Sequence, residues 1–352
     1  MVFLEEYKGE IELINREINR FFEEKERILA SISGFNREFY ENIKEFVLRG
    51  GKRLRPLSMV MAYKALGGSE EKIYRAAISV ELLHNSTLIH DDIIDRDVIR
   101  RGAPTFHIKY YNQYRHVPDA EHFGLSIGIL GGDATWNLGL DAILSAGFSP
   151  ERTVKAVMLY QRAYEDVLNG VVFETYLAMR KRATLDEYLK MIELKTAALF
   201  EKSLIMGGVL AGCNDQRLEA LSKYAISVGQ AFQIWDDVLG TFGKEEETGK
   251  PSDSDIKEGK MTILVVKALE LIDDDERRVL MSVLGNENAS PEDIEEVRRI
   301  FKSCGALDSA LKLANDLKER GKRELISRKE EFDSRYLEFF IKLADFVVRR
   351  KL

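Results

Sequence analysis

The sequence predicts an all-α protein, and three observations carry that expectation. Apolar residues recur at spacings of three and four through most of the chain, no stretch sustains the alternation of a strand, and only 6 prolines interrupt 352 residues. No Ser/Gly/Pro-rich linker divides the pattern, so one large helical domain over residues 1–352 is expected, although the length alone would allow two. With 45% of its residues apolar, the chain can bury a core without disulfides or metal staples. Cys213 and Cys304 stand alone with no C-x-x-C spacing, as free thiols of a reducing compartment do. The chain opens without a charged segment followed by an apolar run, and no apolar stretch is long enough to cross a bilayer, so a soluble cytoplasmic protein is expected. A net charge of −7 argues against nucleic acid as a partner but leaves room for a local basic pocket.

Taken in order, residues 4–32 read as a first amphipathic helix and residues 37–48 as a shorter one. Gly50-Gly51-Lys52-Arg53-Leu54-Arg55-Pro56 breaks the pattern with two glycines and three cations in four residues, either a solvated turn or a loop for an anion. Residues 70–98 carry His84 and Asp91-Asp92-Ile93-Ile94-Asp95, followed by Arg100-Arg101-Gly102-Ala103-Pro104. These two arginines are either salt-bridge partners of the acids or forks for phosphate oxygens, placed where Gly102 and Pro104 end the helix. Helical patterning resumes near 119, and Ser149-Pro150-Glu151 is a strong start signal. Val154, Val157, Tyr160, Tyr164, Val167 and Val171 then form a stripe expected to be core, with Glu174 just beyond it. Residues 184–212 form a helix carrying Lys195-Thr196, and residues 216–240 one carrying Gln233 and Asp236-Asp237. Residues 243–259 are the one long polar interruption, read as a solvated loop or a closing lid. Ser290-Pro291-Glu292-Asp293 starts another helix, and the chain ends in Arg349-Arg350-Lys351.

The paired acids organise this plan. Ile89-His90-Asp91-Asp92-Ile93-Ile94-Asp95 lies over Ile234-Trp235-Asp236-Asp237-Val238-Leu239-Gly240, apolar on apolar and carboxylate on carboxylate, with the final Asp missing from the second copy. On a helix Asp91 and Asp95 stand one turn apart on one face, and their repulsion calls for a cation. Oxygen-only ligands without a His/Cys cluster suit Mg²⁺, which binds through one or two carboxylates plus substrate phosphates, so a two-sided Mg²⁺–diphosphate clamp is expected.

Taken together, the blocks resemble the trans-isoprenyl diphosphate synthases, head-to-tail prenyltransferases. The resemblance rests on residues 50–56, on Leu88 to Asp95 running on to Arg100–Thr105, on Lys195-Thr196, on Phe232 to Asp237, and on Gly259-Lys260-Met261-Thr262, in the family's order and spacing over most of the chain. It implies a single polyprenyl synthetase domain of the isoprenoid synthase type I fold, a bundle of long helices around a central cavity. It also implies a homodimer, three Mg²⁺ per active site, and two acidic motifs facing one another. By resemblance Asp91, Asp95 and Asp236 bind metal, with Asp92, Glu174 and Asp237 as outer-shell candidates. Arg100, Lys195, Thr196, Gln233, Lys250 and Lys260 would serve the allylic diphosphate, and Lys52, Arg55, His84 and Arg101 isopentenyl diphosphate. Thr196 and Gln233, with Lys195, would do the catalytic work, stabilising the cation without offering it a nucleophile. Residues 243–259 and Arg349-Arg350-Lys351 would close the site against water. Gly240, Val171 and Glu174 depart from the family pattern. Leu83, Ser86 and Thr87 would form the chain-length floor, and the absence of an aromatic at 86 and 87 implies a product of twenty carbons or more. Two alternatives share the fold. A non-catalytic regulatory subunit of a heteromeric prenyl synthase is expected to lose acidic motifs, where this chain keeps the first complete. A class I terpene or head-to-head synthase does not need the second diphosphate pocket that Lys52, Arg55 and Arg101 resemble. A metal-dependent phosphohydrolase at His90-Asp91 would need further His ligands, whose spacing is absent.

Overall fold

The computed structural model describes residues 2–29, 31–213, 216–243 and 252–348. Lys250, the tail 349–351 and most of the polar stretch between 243 and 252 lie outside those residues. The chain forms two compact units, one of Met1–Gln161 with Ser203–Asn214 and one of Arg162–Lys202 with Asp215–Leu352. Both are helical, and the described residues contain a single two-stranded β element, Ile99–Arg100 paired antiparallel with Ala103–Pro104. The all-α expectation holds, with that hairpin as the one departure. Arg101 and Gly102 both have positive φ, 51° and 75°, as a tight hairpin turn demands.

In the first unit the centre is the helix Ile73–Ile94, packed along Ala120–Leu144. Close approach is possible because the second helix is glycine-studded. A Cβ at Gly132 would sit 2.1 Å from the His90 ring, one at Gly128 2.7 Å from Ile93, and one at Gly139 2.2 Å from the Tyr160 hydroxyl. Val80, Leu82, Leu83 and Ile89 are fully buried there, each contributing roughly 1.5–3 kcal/mol of transfer free energy. The predicted first helix is split into Val2–Glu6 and Lys8–Leu29; Ile14, Ile18 and Phe21 face inward at the spacing of a helix stripe. Arg75 ties that helix down through Glu17 and Glu24, and Lys64 does so through Glu10.

In the second unit Gln216–Phe242 is central, packed against Ala306–Ile326, Ile263–Leu271 and Ser334–Val348. Tyr224, fully buried, donates its hydroxyl to the Phe340 carbonyl at 2.6 Å. The expected start at Ser290 is a capping box with Asp293, and a second box, Thr184 with Glu187, opens Leu185–Ile192. The predicted continuous helix 184–212 is instead interrupted by a π-turn, Glu193–Ala197, before Ala198–Ala211.

The start at Ser149 is met by Pro150–Arg180, 31 residues long, whose residues belong to both units. The stripe read as core needs correction. Tyr160 and Val167 are buried, but Val154 is 57% exposed, because the buried side runs through Ala156, Tyr160, Ala163, Val167, Gly170 and Leu177. Small residues with no apolar signal of their own define that face. The opposite side leaves Val154, Met158, Leu168, Val172, Tyr176 and Met179 open.

Candidate active site

In the first unit, helix Ile73–Ile94 carries its acids at the wrong end for its own dipole. Asp91 and Asp92 lie in the last turn, Asp95 is the C-cap, and no basic residue shares that turn. Carboxylates at a helix C-terminus are disfavoured by the unsatisfied carbonyls, so a cation there is strongly favoured. The Asp95 N–H donates to the Asp91 carbonyl at 2.8 Å, which sets the two residues one turn apart, and both side chains are half-exposed. Asp92 is fully buried and accepts from Arg100 Nε at 2.5 Å, while Arg100 Nη2 reaches Asp97 at 3.4 Å. Of the two sequence readings of Arg100, the salt-bridge partner is realised, with its Nη1 edge unused by these contacts.

Two turns earlier the sign reverses. His84 is held well below its ordinary range by burial and then by the fields of Arg55, Arg101, Arg100 and Arg53, so it is neutral at pH 7. Burial likewise lowers the Arg55 and Arg101 guanidiniums, with Glu81 opposing. Arg55 Nε is buried without a hydrogen-bond partner, and Arg101 spends Nη1 on the Arg49 carbonyl at 3.1 Å. Lys52 stands exposed on the loop before them. Arg53, counted with them as a cation of the loop, turns inward and is buried. With Arg53 paired to Glu81 and Arg100 to Asp92, Arg55 and Arg101 are the cations left beside a neutral imidazole, an arrangement that favours an anion.

In the second unit the π-turn Glu193–Ala197 presents Lys195 and Thr196. Glycines grip it on two sides: a Cβ at Gly170 would lie 2.4 Å from Lys195 N, and one at Gly229 2.6 Å from Ala197 Cβ. Thr196 donates to Gln233 Oε1 at 2.7 Å, Gln233 donates to Asp237 at 2.8 Å, and the Tyr188 hydroxyl donates to Asp237 at 2.7 Å. Burial, with Asp255 adding to it, pushes the Asp237 carboxyl up to about 7. Asp236, its neighbour, is exposed. Lys195 is paired with Glu174, and Lys260 with Glu258 at 2.7 Å and Asp255 at 3.8 Å. Glu174, expected near a metal-bound water, therefore has a lysine partner here.

Gly240, the missing third Asp, has a structural counterpart. A Cβ at 240 would lie 2.6 Å from Asp255 Oδ2, so the carboxylate of helix Ser254–Lys257 occupies the space a side chain at 240 would take. The carboxylates of both acidic motifs are hard oxygen donors, and among the described residues no three His, Cys, Asp or Glu side chains converge as a preformed cage. That donor set fits Mg²⁺, which keeps waters and takes much of its shell from phosphate.

The sequence pattern of the family described as Polyprenyl synthetase matches residues 36–301. The chain belongs to that family. It is 38% identical to the geranylgeranyl diphosphate synthase of Sulfolobus acidocaldarius over 92% of this chain and 94% of that one. With the geranylfarnesyl diphosphate synthase of Aeropyrum pernix it shares 33%, covering 86% and 91%. A crystal structure of geranylgeranyl pyrophosphate synthase from Corynebacterium glutamicum, complexed with isoprenyl diphosphate and magnesium, superposes with a TM-score of 0.90 at 30% identity, covering 97% and 98%. As a polyprenyl synthetase the chain is a trans-prenyltransferase of the all-α isoprenoid synthase fold. Family structures with bound magnesium or calcium indicate a divalent metal.

Three residues that act on the predicted site side chains, Glu81, Asp255 and Tyr188, were not singled out in the sequence. Glu81 was detectable as a lone carboxylate in the apolar run Ile78–Leu83. Asp255 was hidden in a charged stretch, and Tyr188 gave no signal, since its partner Asp237 is 49 residues away. No helix among the described residues is long and apolar enough to cross a membrane.

Proposed function

We propose that this chain condenses isopentenyl diphosphate with an allylic diphosphate, head to tail, into an all-trans prenyl diphosphate of twenty carbons or somewhat more. One observation carries the reading: His84, with Arg55 and Arg101 gathered around it from neighbouring segments, lies on the same helix Ile73–Ile94 as Asp91 and seven residues before it, roughly 10 Å along the axis. One helix thus offers an anion site and a cation site, the pair that two diphosphates require, whereas a terpene cyclase needs one.

Lys52, Arg55 and Arg101 hold the isopentenyl diphosphate, and neutral His84 donates a hydrogen bond to it. Asp91, Asp95 and Asp236 hold three Mg²⁺ per active site, with Asp92, Asp237 and Glu174 orienting what they bind. When bound, the metal neutralises charge on the pyrophosphate leaving group. Lys195, Lys260, Arg100 and Lys250 add fixed cations to that leaving group, most effective where its charge is greatest. Thr196, its proton committed to Gln233, presents oxygen lone pairs to the allylic cation. The allylic C–O bond breaks to an allylic cation and pyrophosphate. The isopentenyl double bond attacks that cation to form the new C–C bond, and the departing pyrophosphate takes the proton from the carbon beside the resulting cation, which restores a double bond.

Leu83, Ser86 and Thr87 set the floor. Leu83 and Ser86 are fully buried, and neither Ser86 nor Thr87 is bulky, which supports a twenty-carbon or longer product. Curated relatives named for geranylgeranyl and geranylfarnesyl products support the same range. The family match runs through residues of both units, which supports their working as one domain. The open apolar stripe from Val154 to Met179 supports a homodimer. Cys213 and Cys304, neither of them in a C-x-x-C spacing, suit a cytoplasmic setting. Purified protein, Mg²⁺, labelled isopentenyl diphosphate and primers of five to twenty carbons test the reading. Elongation that stops at twenty or twenty-five carbons is expected, with kcat falling about 10²–10³-fold in Asp91→Asn. Absence of elongation with every primer would overturn it.

A further inference from the structure

Glu81 and Arg53 have no assigned role in holding substrate, yet they act on the cations assigned to isopentenyl diphosphate. Both are buried, at 3% and 4% exposure, and Arg53 Nη1 donates to Glu81 Oε1 at 2.6 Å. Arg53 Nε donates to Asn15 Oδ1 at 2.9 Å, which brings in the first long helix. Asn85 Nδ2 donates to the Glu81 carbonyl at 2.8 Å and to Oε1 at 3.3 Å. Arg53 adopts a left-handed backbone, φ 51°, at the N-cap of helix Leu54–Ala65. A non-glycine residue holds that conformation only where its surroundings over-determine it. A Cβ at Gly51, φ 100°, would sit 3.0 Å from Arg53 Nη1 and 3.3 Å from Arg101 Nη2, so both guanidiniums lie close to the loop backbone at Gly51.

We infer that Glu81 and Arg53 are positioning residues for the isopentenyl diphosphate pocket: their buried ion pair locks the left-handed turn that sends Lys52 outward and delivers Arg55 to the anion. Glu81 is also the carboxylate facing Arg55 and Arg101, and it offsets their repulsion while no anion is bound. The inference rests on the assignment of this pocket to isopentenyl diphosphate. Its geometry is independent of the second unit.

The test is initial-rate kinetics on Glu81→Gln and Arg53→Lys, each substrate varied at saturating levels of the other, with thermal melts alongside. The glutamine keeps shape and loses charge; the lysine keeps charge and loses the second bond. The expected result is a rise of about tenfold in KM for isopentenyl diphosphate, ~1.4 kcal/mol, with kcat and the allylic KM within twofold. Asn15→Ala, which leaves the ion pair intact and releases only Arg53 Nε, serves where a charge variant fails to fold. It is expected to raise the same KM about threefold. Equal rises in both KM values, a loss confined to kcat, or an unchanged isopentenyl KM would each overturn the inference. Wild-type protein that elongates no primer overturns the pocket assignment itself, a result separable from any of these.

Discussion

Replacing Gly170 with Ala probes whether the π-turn is held in place by close backbone contact. The added Cβ would lie 2.4 Å from Lys195 N and 2.6 Å from Lys195 Cα, and both are backbone atoms that no rotamer change can move. Reaching ordinary contact at 3.4 Å requires a displacement of about 1 Å in the turn that carries Lys195 and Thr196. Overpacking of this kind costs ~1–3 kcal/mol of stability. A 1 Å misplacement of groups that orient a reaction costs on the order of 10²-fold in rate. Steady-state kcat and the denaturant midpoint should therefore fall together in Gly170→Ala. Gly9→Ala, with nothing within 4 Å of its added Cβ, should leave kcat unchanged. Gly170→Ala with wild-type kcat, whatever its stability, would refute the link between this glycine and the placement of Lys195 and Thr196.

Three further outcomes are expected. Ser86→Phe, placing an aromatic at a fully buried site, should shorten the product by at least five carbons in chain-length chromatography; an unchanged product at full rate would put the floor elsewhere. His84 lies well below 6.5 in the folded chain, so the unfolded chain alone binds a proton as pH drops below 6.5, and stability is lost over that range. His84→Gln should flatten the fall in melting temperature between pH 6.5 and 5, and equal slopes in both proteins would contradict the burial argument. Val172→Lys with Met179→Lys charges the open apolar stripe and should reduce the species seen by sedimentation from twice to once the 40.2 kDa chain mass. Persistence of the dimer would place its interface elsewhere.

What the sequence alone determined was the part of this protein that is local in the chain. Helical periodicity and the start signals at Pro150 and Ser290 depend on residues within a few turns of one another, and each acidic motif, Asp91-Asp92 and its recurrence Asp236-Asp237, is itself a short local string. The order of the motif blocks was legible for the same reason, and with it the polyprenyl synthetase family. Roles that depend on partners distant in sequence were not legible. Three cations in four residues look alike as letters, but Arg53 turns inward to Glu81 while Lys52 stays exposed, because burying a guanidinium requires a carboxylate partner that only folding supplies. Arg100 closes on Asp92, the buried member of its motif, leaving the half-exposed Asp91 and Asp95 as the pair toward solvent. Asp255 fills the space beside Gly240 and the π-turn packs on Gly170, contacts between segments distant in the chain that no local pattern records. Val154 read as core because apolar periodicity marks two faces of a long helix equally, and packing against Ala156, Ala163 and Gly170 decided between them.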